Sequence, residues 1–179
     1  MQLRLSEFVF KGGARCVSLY GLEGKGKSAI ALQVAKDFDL TVYISTEGQL
    51  EPRITSLGMG ERLVYVTTPT REALLVALAG LTKLPRRPDL VILDSANAIY
   101  RQTWNLKDLA WNMTFLADLS YHGVKVLTVW EMSANNRVAG EKVMRAYCDR
   151  VLRATGSFLL GKNEYCKYKV TKEEVLGCL

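Results

Sequence analysis

Apolar and polar positions along the chain alternate between two periods. Residues 16–20 (CVSLY) form an apolar run bounded by Gly12, Gly13 and Gly21, which predicts a strand. Residues 28–38 follow with Ile30, Val34 and Phe38 on one face at helical spacing. Residues 41–45 (TVYIS) and 63–66 are short and rich in β-branched side chains, so both predict strands. Residues 71–83 carry a Leu- and Ala-rich helical pattern that Pro85 and Pro88 end. A fully apolar strand is expected over 90–93, a long helix over 106–122 stopped by Gly123, and a second apolar strand over 124–130. Residues 151–155, 156–160 and 165–170 predict three short strands with no helix between them.

Strands alternating with helices predict βαβ units and a parallel sheet. The inner strands are continuous apolar runs, as a sheet covered on both faces requires. The expected fold class is therefore α/β: a mostly parallel central sheet with helices on both faces and a short antiparallel C-terminal edge. A length of 179 residues favours one domain spanning 1–179. With 49% hydrophobic and 23% charged residues the composition is that of a globular protein. No apolar run approaches the roughly 20 residues of a membrane span, and the N-terminus lacks a signal-peptide core, so no membrane partner and a cytoplasmic location are expected.

The four cysteines form no C-x-x-C pair and His122 is the only histidine, which argues against a zinc site. Cys16, Cys148 and Cys166 lie in apolar patterns and read as buried thiols. The net charge of +6 is uneven. Arg137, Lys142, Arg145, Arg150, Arg153, Lys162, Lys167, Lys169 and Lys172 face only Glu141, Asp149 and Glu164 in the same stretch. That excess suits a polyanionic partner, or equally a solvated basic surface.

The sharpest chemical signal is G-L-E-G-K-G-K-S, from Gly21 through Leu22, Glu23, Gly24, Lys25, Gly26 and Lys27 to Ser28. It meets every fixed position of G-x-x-x-x-G-K-[ST], and a chance match in a chain of this size is on the order of one in two hundred. Glycines let backbone N–H groups wrap a phosphate chain, and the helix that opens at the loop, with Ala29 in its first turn, turns its positive end toward the same phosphates. Lys27 is expected to reach the β- and γ-phosphates and Ser28 to ligate Mg²⁺. ATP and Mg²⁺ are the expected cofactors.

Two carboxylates extend this picture. L-V-I-L-D ends in Asp94, about 65 residues beyond the loop, where a buried strand would deliver an acid to the Mg²⁺ shell, with Ser95 beside it. Glu47 follows the predicted strand 41–45, and ligands of open parallel sheets gather at strand C-termini, so Glu47 is the candidate for activating an attacking water.

With these motifs the chain resembles the ATPase core of the RecA/RadA recombinases, and most of all the short archaeal RadA paralogues. The resemblance runs from about residue 12 to 170. Y-I-S-T-E-G-Q-L-E-P-R-I is similar to the family's D-T-E-G segment and places its catalytic glutamate on Glu47; L-V-I-L-D-S is similar to its Mg²⁺-binding strand. The resemblance implies a RecA-like core that hydrolyses ATP slowly, a role in DNA recombination or repair, and single-stranded DNA, a recombinase or further copies of the chain as partners. The family's first DNA-binding loop would fall in 97–104 and its second in 133–147, which makes Arg101, Arg137, Lys142 and Arg145 the DNA candidates, with Trp104 able to stack on a base.

Departures from the family pattern are equally specific. Ser45 stands where the family has aspartate. The strand that ends in a T-N-Q-V-like segment reads T-V-W-E-M here, with Trp130 and Glu131 at the Asn and Gln positions. A carboxylate there repels a γ-phosphate. The helical N-terminal domain and an F-x-x-A polymerisation motif are not found, so an accessory paralogue is expected and not a filament-forming enzyme. Trp104, Trp111 and Phe115 fall at helical spacing and are also read as a cover for the sheet, Tyr43 and Tyr65 as strand core, and Arg53 as a further candidate to touch nucleotide. Two other functions fit the same loop: a non-hydrolysing nucleotide-bound scaffold and, less well for want of a visible lid, a small-molecule kinase. A KaiC-like signalling ATPase is compatible with the same fold.

Overall fold

The computed structural model describes residues 3–47 and 54–178. A short helix α1 (Leu5–Val9) leads into strand β1 (Cys16–Leu22), a glycine-rich turn and helix α2 (Lys27–Ala35). Then come β2 (Thr41–Ser45), α3 (Ile54–Leu57), β3 (Leu63–Thr67), α4 (Arg71–Gly80) and β4 (Leu90–Asp94). Helices α5 (Ala98–Thr103) and α6 (Leu106–Tyr121) precede β5 (Lys125–Met132) and α7 (Glu141–Tyr147). The chain finishes with β6 (Arg150–Ala154), β7 (Phe158–Gly161), β8 (Glu164–Val170) and β9 (Val175–Gly177).

The strands lie in the order β3-β2-β4-β5-β1-β6-β7-β8-β9. From β3 to β6 every pairing is parallel; β7, β8 and β9 continue the sheet antiparallel. The architecture is thus α/β with a mostly parallel sheet and an antiparallel C-terminal extension, as expected. No helix is long and apolar enough to cross a membrane among the described residues.

Side-chain alternation divides the core in two. Val17, Leu19, Tyr43, Ile92, Leu127 and Val129 face α1 and α2. Val42, Ile44, Leu93, Val126 and Trp130 face α4, α6 and α7, meeting Leu78, Met113 and Met144. Each fully buried aliphatic side chain of this kind contributes roughly 1.5–3 kcal/mol. Some polar groups within the layers are paired: Ser18 donates to the Met144 carbonyl at 2.9 Å, and Trp130 Nε1 donates to Thr128 Oγ1 at 2.8 Å, whereas Thr41 Oγ1 and Asn112 Oδ1 are buried without a partner among the described residues.

Several expectations need correction. The stretches 97–104 and 133–147 are not simply loops: the first holds α5 and the second ends in α7. Trp104 and Trp111 do not cover the sheet; they are 67% and 50% exposed, because Trp104 closes α5 in a left-handed turn before α6 begins and so shares no helix with Trp111. Phe115 does pack against the core. Tyr65 lies half-buried on the edge strand β3, stacked on the buried Tyr43. The cysteines are not thiols: Cys16 is joined to Cys148 and Cys166 to Cys178. Pairing of β1 with β6 explains the first bond, because Asp149 accepts from the backbone N–H groups of Arg15 and Cys16 and brings residue 148 alongside. A separation of 132 residues hides that adjacency from the sequence.

Ile92 is completely buried in the second-neighbour strand to β1, whereas Val76 on α4 is 73% exposed. Ile92→Ala is expected to lower unfolding stability by about 2–5 kcal/mol. Val76→Ala should stay within about 0.5 kcal/mol. Urea denaturation of the two variants checks the contrast.

Candidate functional site

Parallel pairing brings the C-terminal ends of β1, β2, β4 and β5 to one edge of the sheet. In register, Ser45 stands opposite Asp94, and Gly21 opposite Glu131. Tyr43, Asp94 and Glu131 have the same strand parity as the residues facing α2, so their side chains meet the helix that starts at Lys27. A cleft of about 410 Å³ opens there, lined by Glu23, Gly24, Gly26, Lys27, Ser28, Ala29, Glu47, Asp94, Arg101 and Glu131.

Gly24 and Gly26 carry φ of +76° and +81°, backbone that L side chains rarely adopt. At Gly26 a Cβ would also lie 2.7 Å from Val170 Cγ2. The antiparallel extension is therefore packed directly against the loop. Tyr168 strengthens this: its hydroxyl donates to the Lys25 carbonyl at 2.7 Å and accepts from the Gly156 N–H at 2.8 Å. A second cavity, of about 610 Å³, lies on that outer side of the loop between Lys25, Gly156 and β8.

Asp94 is buried beneath the cleft. Its Oδ2 accepts from Ser28 Oγ at 2.5 Å and from the Tyr43 hydroxyl. Burial first, then the charge of Asp94, pushes the Tyr43 phenol well above its ordinary value, so it remains a donor. A hydroxyl and a carboxylate oxygen converge there, and these are ligand types that a hard, oxygen-seeking cation such as Mg²⁺ takes. Among the described residues no group of three or more His, Cys, Asp or Glu is arranged for a metal, so such a cation would need ligands from a phosphate or water as well.

Lys27 is buried, and its ammonium donates to the Leu22 carbonyl at 2.7 Å and to Glu131 Oε2 at 3.2 Å. Glu131 is half-buried. Its carboxyl is raised above the ordinary 4.5, chiefly by burial, with Lys27 opposing and Asp94 and Glu47 adding to the rise. Trp130, its neighbour, points the other way into the core and has no part in the cleft.

Glu47 is exposed on the cleft wall. Thr46 anchors it. The Thr46 N–H donates to the Asp94 carbonyl at 2.8 Å, while its hydroxyl donates to the Ser95 carbonyl at 3.0 Å and accepts from the Ser95 N–H at 2.9 Å. The Ser95 hydroxyl donates to Asn97 and not into the cluster around Asp94. Arg53 lies outside the described residues.

The four arginine and lysine candidates divide. Arg101 lines the 410 Å³ cleft and, with Arg137 and the exposed Trp104, a contiguous cavity of about 820 Å³. Lys142 and Arg145 sit on α7. There Glu141 already neutralises Arg145, at 3.0 Å. Tyr43, Thr46, Asn97 and Tyr168 are the site residues that sequence reasoning missed. A tyrosine two positions before a strand end was a usable signal for Tyr43 only once β2 was known to pair with β4.

Compared with protein-family models and with curated proteins, the chain matches none.

A raised folded-state pKa contributes stability that is fully present below the unfolded value and lost as pH rises through the folded one. Without nucleotide, the stability of the wild type relative to Glu131→Gln should therefore decline as pH climbs above the ordinary 4.5. Urea midpoints over a pH series measure it; a difference independent of pH would contradict the burial of this carboxyl.

Proposed function

We propose that this chain is a RecA/RadA-like nucleotide-binding core that holds ATP with Mg²⁺, hydrolyses it slowly, and acts in DNA recombination or repair through single-stranded DNA or a recombinase. The observation that carries the nucleotide reading is the Ser28–Asp94 contact of 2.5 Å beside the buried Lys27, at the mouth of a loop whose glycines have the left-handed backbone a phosphate cradle uses.

In this reading the loop from Gly21 to Ser28 takes the phosphates, and Lys27 neutralises the group being transferred. Ser28 and Asp94 hold the cation, with Tyr43 fixing the orientation of the carboxylate. When bound, Mg²⁺ supplies charge neutralisation at the phosphate oxygens. Glu47 orients and deprotonates the attacking water from its exposed position on the cleft wall. Arg101 and Arg137, which share the neighbouring cavity with Trp104, offer cations and a stacking surface to a single strand.

A second reading is a nucleotide-bound scaffold without turnover. The ion pair between Lys27 and Glu131 favours it, since it engages the lysine that hydrolysis needs.

Two measurements test the proposal. Lys27→Ala should abolish nucleotide binding, and Glu47→Gln should retain binding while turnover falls by about 10²-fold or more; unchanged turnover in Glu47→Gln removes the catalytic assignment, and no turnover in the wild type favours the scaffold. Affinity for single-stranded DNA should fall steeply between about 50 and 200 mM salt, and the slope should shrink by about one for each of Arg101 and Arg137 replaced by alanine. A flat salt response rules out nucleic acid as a direct ligand.

A further inference from the structure

Lys27 has three N–H donors to distribute. The Leu22 carbonyl takes one at 2.7 Å and Glu131 Oε2 takes another at 3.2 Å. One donor remains, enough for a single phosphate and too few to bridge two.

Glu131 cannot step aside by moving its backbone. Asn97, completely buried, grips both of its main-chain groups: the Glu131 N–H donates to Asn97 Oδ1 at 3.0 Å, and Asn97 Nδ2 donates to the Glu131 carbonyl at 3.0 Å. Asn97 is in turn tied to the Ser95 hydroxyl at 3.0 Å and the Ala139 carbonyl at 3.1 Å. With that backbone held, the pair opens by rotation of a side chain, and that rotation leaves the ammonium without its counter-ion.

The charges around the cleft act in the same direction. Four acids line it, Glu23, Glu47, Asp94 and Glu131, against the cations Lys27 and Arg101. A cation bound at Ser28 and Asp94 offsets Asp94. A third phosphate finds no N–H of Lys27 left, and it adds negative charge to a half-buried cleft that already carries Glu131, which repels it. A diphosphate carries less charge and can use the one remaining donor of Lys27, so it meets less repulsion from Glu131.

We infer that Glu131 makes this cleft select a nucleoside diphosphate over the corresponding triphosphate. The inference rests on the nucleotide-binding reading above and adds a direction to it: the diphosphate-bound form is the resting form, and a triphosphate is held only when the Glu131–Lys27 pair is broken.

Titration calorimetry with Mg-ADP and with a non-hydrolysable Mg-ATP analogue tests this on the full chain. Wild type should bind the diphosphate at least about tenfold more tightly. Glu131→Gln, which keeps the shape and removes the charge, should raise triphosphate affinity by at least about tenfold while changing diphosphate affinity by less than about threefold. Glu131→Ala serves the same comparison if the glutamine variant folds poorly, and Glu131→Asp should retain a preference for diphosphate. Wild type that binds the triphosphate as tightly as the diphosphate overturns the inference and leaves nucleotide binding intact. A Glu131→Gln variant that scales both affinities equally does the same. Wild type that binds neither nucleotide overturns the nucleotide reading and this inference together.

Discussion

The parallel pairing of β2, β4, β5 and β1 is the constraint on which the rest of the structure depends. Parallel strands must start at the same side, so all four end on one edge, and the loop that follows each end is delivered to the same place. The register sets which side chains meet. Tyr43, Asp94 and Glu131 share a parity and turn toward α2, while Val42, Leu93 and Trp130 turn to the opposite helices. A slip of one residue in β4 would exchange Asp94 for Leu93 and leave Ser28 with no acceptor.

Within that frame the cleft balances two electrostatic demands. Lys27 and Glu131 are partly withdrawn from water, and each lessens the cost of burying the other. Asp94 is held by two hydroxyl donors, Ser28 and Tyr43, and by no cation of the chain itself among the described hydrogen bonds. An excess of acids over cations thus lines the cleft, beside a glycine turn with left-handed backbone at Gly24 and Gly26. In the proposed reading a divalent ion would offset Asp94, and Glu131 would oppose further negative charge.

The antiparallel extension does more than lengthen the sheet. Tyr168 and Val170 lie against Lys25 and Gly26, so β8 braces the glycine-rich turn from outside. Arg150 and Lys11 both reach Glu164, and the Cys166–Cys178 bond ties β8 to the end of the chain. Rigidity at the loop therefore comes from residues more than a hundred positions away in sequence. That bracing favours a cleft with fixed backbone and leaves side-chain rotation, above all at Glu131, as the means of changing its state.

What the sequence determined by itself was local. Apolar runs placed the parallel strands to within a few residues, because a strand covered on both faces has little freedom in its composition. The spacing of glycines, lysine and serine from Gly21 to Ser28 announced a loop and a helix start, since only glycine adopts that backbone readily. The shape of 97–104 and 133–147 was not legible, as short helices such as α5 and α7 take their stability from packing and not from propensity. Nor were the disulfides, the hold of Asn97 on Glu131, or the bracing by Tyr168. Apart from the Cys166–Cys178 bond, which spans 12 residues, each joins residues distant in the chain, and only the order and register of the strands decide which of them become neighbours. The sequence placed Glu131 at the end of an apolar strand; tertiary structure alone decided that its carboxylate would meet Lys27.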